Sequence, residues 1–232
     1  MEKKVYIKKF VHTTIGYKYE AEIDKNIDGI GKLCISAIGE LYKALPDVKK
    51  DVPVFFGSGY SSIHSLNSFN VVCEKSGALY VNPSLFPNTV LNSPFCRASI
   101  YHGIKSPIYN ISNGRFSGLE ALELAYMHIK NGETDNAIVC AAEEDCEFIQ
   151  HIEKREISSS CTAIYLSGQL GEIEIQNFSR KKKKFLIEND YMEEANIYNI
   201  FKNIIDTKLE KELILENIQG NETMIKIKIH KE

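Results

Sequence analysis

Apolar residues along the chain switch between short unbroken runs and stripes at helical spacing. Residues 106–144 show this most clearly. A β-branched, apolar run at 108–112 follows Pro107 and predicts a strand. Asn113-Gly114 marks a turn. Ser117 and Glu120 have the spacing of a capping box, with the Ser117 hydroxyl accepting a backbone N–H and Glu120 reaching back. Leu119, Leu122, Leu124, Ala125 and Ile129 then form a helical stripe, and Asn131-Gly132 stops it. Residues 136–142 are small and apolar without alternation, as in a strand buried on both faces.

The same reading extends to both sides. It predicts strands at 5–10 and 52–56 and helices at 30–45, 61–75 and 89–102, the last starting near Pro94. A loop is expected at 82–88. Alternating strands and helices imply a largely parallel sheet with helices on its faces. Beyond Glu144 the pattern predicts strands at 158–167, 172–178, 213–218 and 224–229, and a helix at 190–207. Residues 179–184 (SRKKKK) read as a basic tether.

Composition narrows the class. The 232 residues are 44% hydrophobic and 25% charged, with a net charge of −3, so nothing drives the whole chain towards nucleic acid. No apolar run approaches the ~18 residues of a membrane span, and the first residues do not read as a signal peptide. The six cysteines form no CxxC pair and have no zinc spacing, which suits reduced, buried thiols in a cytoplasmic protein. The six histidines are scattered, without metal spacing.

A strand that turns sharply into a helix N-terminus exposes one side chain, and the helix end would lower a thiol pKa there. The residue at that corner is Arg115, which stays protonated and offers no lone pair. Ser112 and Ser117 flank the turn without an evident base. Gly57-Ser58-Gly59 is a strand-to-helix turn, and Glu143-Glu144-Asp145 reads as an acidic surface turn.

The series VFFGSG, NPSLFPNTVLN, GIKSPIYNIS and SGLEALELAYMHIKNGETDNAIVCAAEE resembles the N-terminal half of β-ketoacyl-(acyl carrier protein) synthases, in the thiolase superfamily. The resemblance covers residues 4–178. Gly103, Pro107, Gly118, Gly132, Asp135 and Glu143 each fall where the family pattern has that residue type. It implies an α/β, thiolase-like fold whose N-terminal half, residues 1–178, is largely complete. Residues 179–232 would be a strongly truncated remnant of the C-terminal half.

In that family the catalytic cysteine lies three residues before the glycine that opens the helix, and counting back from Gly118 lands on Arg115. An HGT-type motif supplies a histidine, and the resemblance puts Gln219 in its place; a second alignment sets 220–229 on the family's final strand instead. No catalytic residue, metal or cofactor is therefore expected. The resemblance implies an inactive subunit, similar to a chain-length factor, paired with a full-length ketosynthase and reaching acyl carrier protein through that complex. Phe86, Tyr109, Ile111 and Phe116 would line the interface and acyl tunnel. The alternatives are an acyl-thioester enzyme with relocated catalytic residues, and a homodimeric protein binding acyl chains or acyl carrier proteins.

Overall fold

The computed structural model describes residues 3–14, 26–114, 116–154, 156–171, 173–182, 211–216 and 221–229. Eight strands form one sheet: β1 (Val5–Thr14), β2 (Val54–Gly57), β3 (Ile108–Ile111), β4 (Asn136–Glu143), β5 (Ser160–Ser167), β6 (Ile173–Lys182), β7 (Lys211–Glu216) and β8 (Asn221–Ile229). Their order is β3-β2-β4-β5-β1-β6-β8-β7. The helices are α1 (Gly29–Ala44), α2 (Ile63–Ser76), α3 (Ser93–Tyr101), α4 (Ser117–Lys130) and α5 (Glu147–Glu153). The expected loop at 82–88 is instead ordered: 3-10 turns at Ala78–Tyr80 and Pro83–Thr89 link α2 to α3.

Alternation across the central strands builds two cores. Phe55, Val139, Ala141, Ile164 and Leu166 face α4, where Leu119, Leu122, Ala125 and Ile129 cover them. Val54, Phe56, Ile138, Cys140, Ala142, Cys161 and Ala163 face the other way, onto α1 and Phe95 of α3. Every residue of β5 is buried, and all of β4 but its first. That double burial is why β4 reads as an unbroken apolar run.

The sheet is mixed, and the expected parallel majority is corrected. β2 runs parallel to β3 and β4, but every other neighbouring pair is antiparallel. A parallel return needs a crossover helix packed on the sheet. The link from β4 to β5 carries only α5, seven residues long with Ile149 alone buried, so the chain returns antiparallel.

Two local expectations also change. Residues 179–182 are not a tether: β6 continues through Lys182, paired with Thr223, Glu222 and Asn221 of β8. The capping box does not form as expected, because the α4 N-cap is Phe116 and Ser117 already lies inside the helix. The predicted helix at 190–207 lies outside the described residues.

Candidate functional site

The corner between β3 and α4 is built from close backbone approach and short polar side-chain contacts. Gly114 turns the chain at φ +66°, a left-handed conformation that glycine adopts without cost. The Asn113 N–H donates to the Ser117 hydroxyl at 2.8 Å, and that hydroxyl donates to the Gly114 carbonyl at 2.6 Å. Asn113 Nδ2 donates to the Glu120 carboxylate at 3.0 Å. Beneath the corner, Gly57 meets the Ser117–Gly118 backbone so closely that no side chain fits. The Ser58 N–H donates to the Ile111 carbonyl at 3.2 Å, joining the β2 turn to the end of β3.

Glu143 and Glu144 do not form the expected surface turn. Glu143 is fully buried at the end of β4 and accepts from the N–H groups of Gly59 and, at 3.2 Å, Tyr60. Its carboxylate thus holds the loop that enters α2. Glu144, 6% exposed, accepts from the Ile30 N–H at 3.1 Å in the first turn of α1 and meets His64 Nδ1 at 3.1 Å. Asp28 caps α1 through the Gly31 N–H at 3.0 Å and accepts from the Ser65 hydroxyl at 3.3 Å. Burial pushes the Asp28 carboxyl up; the Gly31 N–H opposes this and the nearby Glu144 charge adds to it. The hydrogen bond that His64 donates to Glu144 raises the imidazole pKa against its partial burial. Beside this cluster is a cavity of about 430 Å³, walled by Phe69, Val72, Tyr80 and Leu85.

Of the residues expected at the interface and tunnel, three pack on the α4-facing core and Phe86 lies on the second 3-10 turn. Tyr109 stacks on buried Phe55, with centroids 4.6 Å apart and planes at 7°, and meets His128 edge-on at 4.9 Å. Ile111 and Phe116 also pack on the core under α4. Phe86 stands apart on the second 3-10 turn, 58% exposed, with its ring 6.0 Å from Phe69. Arg115 and Gln219 lie outside the described residues. Sequence reasoning missed the cluster of Asp28, His64 and Glu144. Asp28 stands directly before a helical stripe and could have been read as an N-cap, but its neighbours are long-range.

Two further histidines have structural partners: His128 Nδ1 pairs with Glu133 at 2.9 Å, and His102 Nε2 meets the Ile35 carbonyl at 2.8 Å. Among the described residues, no group of three or more histidine, cysteine or acidic side chains could hold a metal ion. Nor is any described helix long and apolar enough to cross a membrane.

No curated protein matches the chain in sequence. Solved structures do match in fold. A chain from a ketosynthase in complex with its chain length factor, from Xenorhabdus doucetiae, superposes with a TM-score of 0.70 at 11% identity, covering 96% of this chain and 99% of that one. The ishigamide ketosynthase/chain length factor gives 0.68 at 14% identity, over 77% of this chain and 67% of that one. A β-ketoacyl synthase from Burkholderia phymatum gives 0.66 at 14% identity, over 78% of this chain and 64% of that one. At these identities the likeness is one of fold, and that fold is thiolase-like. A family model described as "Beta-ketoacyl synthase, N-terminal domain" matches residues 40–163, from α1 into β5 and across the whole β3–α4 corner. The chain belongs to the β-ketoacyl synthase N-terminal domain family.

Proposed function

We propose that the chain is a catalytically inactive ketosynthase-like subunit. It pairs with an active, full-length β-ketoacyl-(acyl carrier protein) synthase in fatty-acid, polyketide or aryl-polyene biosynthesis, as a chain-length factor does. One observation carries this reading: Gly57 is seated on Gly118 at the start of α4, while the residue that the sequence puts three before Gly118 is Arg115. Claisen condensation needs a thiolate to hold the acyl group, and a guanidinium supplies none.

The sheet edge supports a partner. Among the described residues β3 pairs only with β2, and its outward Ile108 and Asn110 are exposed. A free edge strand is a ready surface for a second chain of the same fold. Phe86 would contact that chain directly, while Tyr109, Ile111 and Phe116 would shape the wall of the acyl tunnel from the core side. In this reading residues 1–178 are the ketosynthase-like half and 179–232 a remnant of the other, Arg115 and Gln219 mark the degenerate site, and acyl carrier protein is reached through the complex in the cytoplasm.

Native mass spectrometry tests this on the chain purified from its own cells through a small tag. A one-to-one complex with a full-length ketosynthase is expected. A monomer or homodimer alone would overturn the proposal.

A further inference from the structure

The segment from α2 through the two 3-10 turns is attached unlike the rest of the molecule. None of the fourteen residues of α2 is buried. Large apolar side chains stand out along this arm: Leu79 is 99% exposed and Tyr80 76%, with Val72, Leu85 and Phe86 also exposed. A cavity of about 430 Å³ separates the arm from the start of α1 and the end of β4. Few apolar contacts and an empty space beneath are marks of a segment that opens below the global unfolding free energy.

What holds the arm is polar. At its entry the Ser61 and Ser62 hydroxyls donate to the Leu91 and Val90 carbonyls at 2.5 and 2.6 Å. Asn88 Nδ2 donates to the Asn26 carbonyl at 2.7 Å, and Tyr60 bonds Glu153 of α5. Across the cavity mouth, His64 of α2 meets Glu144 at 3.1 Å, and Ser65 donates to Asp28. Of these ties, the His64–Glu144 contact is the one that contains an imidazole, the side chain whose ordinary pKa lies near neutral pH.

We propose that His64 and Glu144 form a proton-operated latch that holds the α2 arm against the body of the protein and governs opening of the cavity beneath it. The surrounding charges set the sign. Glu144 at the end of β4, Asp28 at the α1 N-cap and Asp145 all favour the imidazolium. The 3-10 turns carry no charged residue, α5 carries Glu147, His151 and Glu153, and Arg97 of α3 acts on Asp28. Because the folded His64 pKa lies above its ordinary value, the latch is complete below that ordinary value and is lost as pH rises through the folded one. Once His64 is neutral, the Glu144 and Asp28 carboxylates on the body side of the mouth have lost the cation that faced them from the arm, and water is drawn into the cavity. The arm carries Phe86, so the latch also tunes the partner contact, a consequence that rests on the function proposed above.

Hydrogen exchange on the full chain tests this, with amide rates corrected for the intrinsic effect of pH, alongside an NMR titration of the His64 ring. The readout does not depend on whether a ketosynthase partner exists. His64 is expected to titrate above the ordinary imidazole value. Protection of residues 63–91 should fall several-fold as pH rises through that point, while α1 and β4 stay constant. His64→Gln, a change at a half-exposed position, should leave the arm's protection independent of pH. A His64 titration at or below the ordinary value, arm protection that does not change with pH, or the same pH profile in His64→Gln would each overturn the proposal.

Discussion

Gly57, the last residue of β2, lies against Gly118 in the first turn of α4: a methyl group on Gly57 would stand 2.5 Å from the Gly118 Cα. Both sides of that contact are backbone, so neither can swing away. The contact sets α4 on the sheet and with it the turn at Gly114 that precedes the helix. Gly57→Ala should cost about 1–3 kcal/mol, read as a lower Tm by circular dichroism. A variant as stable as the parent would show that α4 can shift without penalty.

Glu143 works from the other side of the same turn. Its removal leaves the N–H groups of Gly59 and Tyr60 without their carboxylate acceptor. Glu143→Ala is expected to lose about 2–4 kcal/mol in urea unfolding, and Glu143→Gln, which keeps one acceptor oxygen, distinctly less. Equal losses would place the effect on the charge and not on the hydrogen bonds.

Asp28 lets the pH dependence be signed. Burial, reinforced by Glu144, raises its folded pKa despite the opposing Gly31 N–H. A raised carboxyl contributes stability below its unfolded pKa and loses it as pH rises through the folded value. Asp28→Asn keeps the cap acceptor and removes the charge. It should therefore raise Tm near neutral pH and change little in acid. A lower Tm at neutral pH would show that attraction to His64 outweighs the burial cost.

The cysteines should divide by burial. Cys34, Cys140 and Cys161 are buried in the α1-facing core, Cys161 within hydrogen-bond reach of the other two, and burial pushes the thiols of Cys34 and Cys140 up. Cys73, Cys96 and Cys146 are only partly covered. Alkylation of the native protein followed by peptide mapping should modify the second group and spare the first until the chain unfolds. In the same spectra, incubation with an acyl thioester should leave no acyl adduct on any serine or cysteine. An adduct would instead favour an enzyme with relocated chemistry.

Ile108 tests the partner edge. It faces outward from β3, away from the Tyr109–Phe55 stack. Ile108→Glu should abolish recovery of the proposed ketosynthase partner, while the isolated chain loses no more than about 1 kcal/mol of stability. Unchanged recovery would move the interface elsewhere.

Much of the fold was legible because its elements are local. The α1 stripe of Leu33, Ile38 and Leu41 and the α4 stripe of Leu119, Leu122 and Ile129 are buried as their spacing predicts. The buried run of β4 and the Gly132 stop at the end of α4 follow in the same way. The misreadings were of a different kind. The basic run at 179–182 looks like a solvated loop until β8 pairs with it, and Ser117 looks like a cap until the turn tightens around Gly114 and moves the helix start.

The sequence by itself determined most strands and helices between 30 and 178, though not α5 or the two 3-10 turns, and that an arginine stands three residues before Gly118. Those properties depend on side-chain periodicity, turn chemistry and residue identity within a few positions of one another. Tertiary structure alone decided that the sheet is mostly antiparallel, since strand direction depends on which neighbour a strand meets. It alone buried Glu143 and Glu144, adjacent in sequence, in two separate networks: one holds the loop into α2, the other joins α1 to His64. Residues up to 114 positions apart meet in those networks, and no local pattern in a chain records which distant donors a carboxylate will find.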